Sequence, residues 1–255
     1  MYNIIVENDV IIDMNGGELV HIKDLDVKVI TIASESKAVI PDNIGRLYIA
    51  SSFSDEYRLS SLDRMSSAKY VVIGSPETIL YISMILNSSA GYVQMKDFGM
   101  NPKVNISTIK NVKIPDEDID LVGGGAIIDM YEGMLDEELR NIKEDQEDFL
   151  ELKVLRQFLN LIHRYYVEQL YLPEFFESHN MDIVTPWLEI CKAQNDRLVD
   201  LYHSERIVYL KNLMQAILDD EKRIFEVSNK MKVYQLETHR LLCNLLNPKY
   251  VGPLK

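Results

Sequence analysis

The sequence predicts an α+β protein, an N-terminal mixed α/β domain followed by a long α-helical hairpin or bundle. Ten of its 11 glycines lie at or before Gly133. Gly and Pro are absent from 134–172 and again from 187–247, runs of 39 and 61 residues that suit long uninterrupted helices. Short β-rich runs, NIIV, VKVITI, RLYIA and KYVVI, precede residue 75 and are separated by turn-forming clusters, the pattern of short strands in a mixed sheet.

The strand-rich part ends at Ser75 and Pro76, which together with Glu77 make a helix start. Ile79, Ile82, Ile85 and Leu86 continue at helical spacing, and Gly91 is the expected stop. From Leu135, Leu139 and Ile142 to Leu155, Phe158, Ile162 and Tyr165 the apolar steps of three and four predict one amphipathic helix of about 37 residues, ~55 Å long. The loop LPEFFESHNMDIVTP ends it, and Thr185 and Pro186 open the next helix as N-cap and first residue, with a break expected near Ser204. Ile207, Leu210, Met214, Ile217, Ile224 and Met231 then recur near the coiled-coil period.

With 255 residues, 47% hydrophobic and 26% charged, the chain has the composition of a globular protein. Its 40 acids against 27 bases leave a net charge of -13, which excludes a histone-like nucleic-acid binder and leaves room only for a local basic patch. The acidity lies mainly in the helices: residues 1–115 carry 13 acids and 11 bases, the rest 27 and 16. Cys191 and Cys243 read as buried thiols in a reducing compartment. The opening MYNIIVENDVII lacks the pattern of a signal peptide, and the apolar run YVVIGSPETILYISMIL is too interrupted to span a bilayer. The expectation is a soluble cytoplasmic protein with no membrane contact.

Chemical signatures are sparse. Gly123-Gly124-Gly125 lacks the Lys-Ser or Lys-Thr of a phosphate loop and reads as a linker. The five histidines form no H-E-x-x-H pattern, no Cys is placed beside a His at ligand spacing, and neither metal nor cofactor is expected. Asp116 with Glu151 and Lys153 imitates a Mg-dependent nuclease, but on a helix Glu151 and Lys153 point to different sides. Arg156 with His163, and Arg197 with His203, have the loose spacing of HEPN ribonucleases, a spacing that helices rich in Arg and His produce easily. The balance predicts no enzyme.

LYISMILNSSAG followed by VNISTIKNVKIP resembles the end of a target recognition domain from the specificity (S) subunits of type I restriction-modification systems. Leu86, Ser88 and Gly91 match its first part; Asn105, Ile106, Ser107, Ile109, Lys110, Asn111, Ile114 and Pro115 match the Asn-Ile-Ser start of a strand, the turn and the Ile-Pro exit. The resemblance covers about residues 27–115. It implies a target-recognition-like domain at 1–120, a glycine-rich linker at 121–133 and a coiled-coil-like domain at 134–255.

By that resemblance the chain is a non-catalytic DNA-recognition subunit of a restriction-modification or related defence complex. Its expected partners are double-stranded DNA and a subunit such as a methyltransferase or nuclease, in a homodimer or hetero-complex. Lys96, Lys103, Lys110 and Lys113 oppose Asp97 alone and form a basic patch for phosphate, while Asn101, Asn105 and Ser107 supply hydrogen bonds to bases or backbone. Ile207, Leu210, Met214, Ile217 and Ile224 are the expected oligomerisation seam, since a two-helix hairpin leaves residues such as Trp187, Tyr209 and Phe225 in need of cover. The alternatives are an interaction scaffold of the same fold, whose acidic helices bind a basic partner or mimic DNA, and a helical HEPN-like ribonuclease.

Overall fold

The computed structural model describes residues 3–7, 10–14, 19–36, 41, 44–53, 59–62, 64–96, 104–115, 119–143, 147–194, 203–219 and 221–247. The fold is α+β, with a helical C-terminal half. Strands β1 (Asn3–Glu7) and β2 (Val10–Met14) form an antiparallel hairpin, and β3 (Leu19–His21) pairs antiparallel with β8 (Lys113–Pro115). The main sheet has the order β4-β7-β5-β6, from β4 (Lys28–Thr31), β7 (Ala68–Gly74), β5 (Gly45–Ala50) and β6 (Ser60–Ser61). Every described pair is antiparallel, so the expected mixed sheet is not formed.

Between β4 and β5 lies the single turn α1 (Ile32–Glu35). Helix α2 (Pro76–Leu86) starts as the sequence predicts, with Ser75 accepting from the Thr78 amide and Pro76 in the first turn. It is buried on nearly all sides, from Ile79 to Leu86, because it lies between the sheet and the helical half. It stops at Leu86, five residues before the glycine expected to end it. Ser88 caps a new helix, α3 (Ser89–Met95), that takes Gly91 inside it, where a Cβ would stand 2.5 Å from the Ile85 carbonyl oxygen. Gly91 thus serves close packing of α3 on the end of α2, not termination.

The segment expected to begin a strand is a helix, α4 (Ile106–Lys110). Asn105 accepts from the Thr108 amide while the Thr108 hydroxyl accepts from the Asn105 amide, a reciprocal cap that local hydrogen bonding favours over extension.

The predicted 37-residue helix is two helices, α5 (Ile119–Asn141) and α6 (Glu147–Tyr171). They run antiparallel, since Glu132 meets His163 and Asp136 meets Arg156. Their apolar stripes face each other, and periodicity alone does not register that the chain reverses between them. The remainder is a bundle of α7 (Pro173–Ser178), α8 (Val184–Gln194), α9 (His203–Asp219) and α10 (Glu221–Leu246). Asn180, at φ 51°, takes the chain out of α7. The cap of α8 is Asp182, which accepts from the Val184 and Thr185 amides, so Thr185 lies inside the helix it was expected to cap. No helix among the described residues is long and apolar enough to cross a membrane.

The glycines expected to form a linker are helical instead. Gly123, Gly124 and Gly125 lie in α5, and a single core runs from Leu47 and Ile85 through Tyr166 and Trp187 to Leu242. Trp187 Nε1 donates to the Gly124 carbonyl at 2.8 Å. A Cβ on Gly124 would meet Leu188 at 2.4 Å, and one on Gly125 would meet Met84 Sδ at 1.8 Å. At the far end Asn247 Nδ2 donates to the Val93 and Lys96 carbonyls, fastening the end of α10 to α3. Exposed in a helix, Gly→Ala stabilises by about 1 kcal/mol. Here Gly125→Ala has the opposite sign and costs about 1–3 kcal/mol through overpacking, read as a lower urea midpoint at unchanged m-value.

Candidate functional site

Seven residues separate Arg156 from His163, two turns that put both on one face of α6, and Glu132 and Asp136 are one turn apart on α5. The four side chains close into one network. Arg156 donates from Nη1 to Glu132 Oε1 and from Nε to Asp136 Oδ1, each at 2.7 Å. His163 Nδ1 lies 2.8 Å from Glu132 Oε2, and Nε2 donates to the Met84 carbonyl at 3.0 Å. The carbonyl can only accept, so His163 and Glu132 hold one further proton between Nδ1 and Oε2. The charges balance: Arg156 and that shared proton against Glu132 and Asp136.

Glu132, Arg156 and His163 are 1%, 5% and 3% exposed, whereas Asp136 is 33% exposed. The network therefore reaches from the core to a surface cleft. This cleft, of about 1460 Å³, is walled by α5 and α6 on one side and by the chain around β6 on the other. Arg64, Arg140 and Lys153 are exposed on its lining, with Arg156 and Asp136 at its inner wall and Glu137 as the remaining acid. Five serines and the half-buried rings of Phe53 and Phe149 also line it. The β6 wall is held by Asn87, whose Oδ1 accepts from the Leu59 and Ser60 amides at 2.9 and 2.8 Å.

A second polar cluster joins α3, α6 and α10. Glu168, fully buried, accepts from Arg164 Nε at 2.7 Å and Ser89 Oγ at 3.3 Å. His239 and Cys243, four residues apart on α10, bring Nε2 and Sγ within 3.6 Å. The sequence reading missed this pair, although a four-residue step on a helix is the signal that places two side chains together. Burial pushes the Cys243 thiol up, and that of Cys191 up to about 12, so neither is a thiolate at neutral pH. No group of three or more metal-ligating side chains occurs among the described residues.

The residues expected to touch DNA are dispersed over different roles. Asn101 and Lys103 lie outside the described residues. The Asn105 side chain is engaged in the α4 cap, which takes its oxygen away from base recognition. Ser107 and Lys110 are exposed on α4, and Lys96 lies 5.6 Å from the Tyr92 ring centre at the end of α3. Glu151 and Lys153 diverge as expected: Glu151 pairs with Lys211 of α9 at 3.1 Å, while Lys153 lines the cleft.

The expected oligomerisation seam is interior. Leu210, Ile217 and Ile224 are buried within the chain and Met214 is half-buried against the same core, while the Ile207 and Phe225 side chains lie outside the described residues. Trp187 and Tyr209 are covered by Tyr131 of α5, in edge and stacked contacts respectively. A two-helix hairpin would have exposed them; the bundle of α8, α9 and α10 closes over them. The exposed apolar side chains of α10 are instead Val233 and Leu236, 78% and 71% exposed.

Comparison with protein families, curated proteins and solved structures gives no match.

Replacing the carboxylate shared by Arg156 and His163 with an amide removes its charge from a buried network and leaves Asp136 as the carboxylate on Arg156. Glu132→Gln is expected to cost about 3–5 kcal/mol in urea unfolding. At the second cluster burial first, then Arg164, push the His239 pKa down against an opposing pull from Glu168, with Lys96 adding a smaller push in the same downward direction. The folded state therefore binds this proton less readily than the unfolded chain. The resulting stability is complete above about pH 6.5 and declines as pH falls toward the depressed folded pKa. In His239→Gln the slope of Tm against pH between about 7 and 5 should flatten.

Proposed function

We propose that the protein is a non-catalytic recognition protein that holds an anionic ligand in the cleft between the β6 wall and the α5–α6 hairpin. The observation that carries this reading is local charge. Arg64, Arg140 and Lys153 converge on one concavity, next to Arg156, in a chain of net charge -13. Low-dielectric walls focus the field of such a group and raise the local concentration of anions. The serine hydroxyls add neutral donors around the same space. A binding role is further supported by Arg156 and His163: both direct their donors into a neutral buried network, a structural use, whereas acid–base work needs a proton within reach of substrate.

A second reading keeps duplex DNA as the ligand, in a specificity-type subunit of a restriction-modification or related defence complex. The observation in its favour is that Ser107 and Lys110 share the exposed side of α4, a short helix able to approach a phosphate backbone. In that reading a partner subunit such as a methyltransferase supplies the positive charge that the chain lacks.

Calorimetric titration of inorganic tripolyphosphate at low salt tests the first reading. Binding is expected, and the double variant Arg64→Glu, Lys153→Glu should weaken it by at least about tenfold, since each charge-assisted hydrogen bond removed is worth about 1.5–3 kcal/mol. No heat of binding, or an affinity indifferent to both reversals, removes the cleft as an anion site. Weakening of a DNA duplex by Lys110→Ala with the cleft variants silent would put the second reading in its place.

A further inference from the structure

The cleft offers more than charge. Its volume of about 1460 Å³ lies above the ~300–1,000 Å³ that encloses one small molecule, so a single phosphate or metabolite would leave most of it unfilled. A segment of a polymer fills such a space. Two half-buried aromatic rings line it, Phe53 on the chain leading to β6 and Phe149 in the first turn of α6. Phe53 is held edge-on to Tyr92, ring centres 5.2 Å apart at 77°, which fixes its orientation without enclosing it.

On α6, Phe149 and Lys153 are four residues apart, and the Lys153 ammonium lies 5.8 Å from the Phe149 ring centre. One helical turn therefore presents an apolar ring with a cation over it. Arg64 and Arg140 lie on the same lining, and the serine hydroxyls can donate to or accept from polar edges.

Aromatic rings and cations on the lining of one concave groove are the arrangement that single-stranded nucleic acids use: bases stack on rings while phosphates meet the cations. A duplex keeps its base faces inside the stack, where rings in a concave wall cannot reach them. An acidic peptide would use the cations and leave Phe53 and Phe149 without a planar partner.

We propose that the cleft binds a single-stranded nucleic acid segment, with Phe149 and Phe53 as stacking platforms and Arg64, Arg140 and Lys153 as phosphate contacts. This rests on the anionic-ligand reading above and specifies its ligand class. Asn87 holds Leu59 and Ser60 on one wall and the network beneath Arg156 holds α6 against α5 on the other, which limits the ordering cost of binding at those points.

The test uses the full chain, fluorescence anisotropy and a labelled oligothymidylate of about twenty nucleotides, several times the smallest known single-strand site. Tripolyphosphate and a duplex of equal length serve as comparison probes. The oligothymidylate should bind with an affinity that falls linearly with salt on logarithmic axes. The double variant Arg64→Ala, Lys153→Ala should flatten that slope by ~1.4, about 0.7 for each phosphate that is no longer neutralised. Phe149→Leu keeps apolar bulk but removes the ring. It should weaken the oligothymidylate by about fivefold or more, the lower end of what one stacked base is worth, and leave tripolyphosphate affinity unchanged.

If circular dichroism shows that Phe149→Leu does not fold, Phe53→Leu carries this arm with the same expectation. Tripolyphosphate bound without oligothymidylate, or a Phe variant that weakens both equally, overturns the nucleic-acid inference and leaves the anion site standing. A duplex bound more tightly than the single strand overturns it in favour of duplex recognition. Failure of both anionic probes at low salt removes the inference and the reading beneath it together.

Discussion

Helix α5 comes close enough to α2, α6 and α8 to touch them through its own backbone, and the remaining geometry depends on that approach. Gly124 and Gly125 make it possible, because a Cβ at either position would occupy space already held by Leu188, Tyr166 or Met84. Consecutive glycines in a helix cost about 1 kcal/mol each in chain entropy. The cost is offset by what the contact brings together: Trp187 reaches the Gly124 carbonyl, and the two halves of the chain share one core. Two turns beyond Gly125, on the same face, Glu132 arrives within hydrogen-bonding distance of Arg156 and His163. Met84 ties these features together, since its side chain lies over Gly125 and its carbonyl accepts from His163.

Buried charge in this arrangement specifies register more than it adds stability. Ion pairs taken out of water repay their desolvation only when every donor and acceptor is matched, and the four-residue network meets that condition. It also locks α6 against α5 at one relative position, because a shift by one helical turn would separate His163 from Glu132. The position so chosen sets Lys153 on the lining of the cleft and Arg156 at its inner wall. Some acids of the helical half are engaged in exposed pairs, as in the pairing of Lys211 with Asp148 and Glu151 and of Arg223 with Glu189. Such exposed pairs contribute little to stability. They lie outside the lining of the cleft, where Arg64, Arg140, Lys153 and Arg156 outnumber Asp136 and Glu137.

Where local chemistry decides, the sequence was legible. Ser75 and Pro76 start a helix because a side-chain acceptor and a ring without an N–H satisfy the first turn wherever it is placed. The absence of Gly and Pro from 134–172 and from 187–247 likewise means helix, since nothing in those runs breaks the backbone ladder. Where two local solutions compete, it was less so. Asn105-Ile106-Ser107 reads as the start of a strand by its resemblance to the target recognition domains, yet Thr108 closes a cap with Asn105 and makes a helix. Asp182, three residues ahead of Thr185, is the stronger acceptor and takes the cap of α8. Gly91 and Gly123–Gly125 look like punctuation in a linear chain, and their use as contact points appears only with the neighbour that approaches them.

The sequence by itself determined the α+β class, the helical second half, the helix start at Ser75 and the divergence of Glu151 from Lys153, because each follows from propensity, capping or the helical period within a few residues. It also showed Arg156 and His163 on one helical face. Only the tertiary structure decided that α5 and α6 double back as a pair, that Glu132 meets both Arg156 and His163, that Leu210, Ile217 and Ile224 belong to the interior, and that Arg64 and Lys153 line one cleft. Those facts join residues tens of positions apart, and periodicity reports which face of a helix is apolar without reporting what covers it.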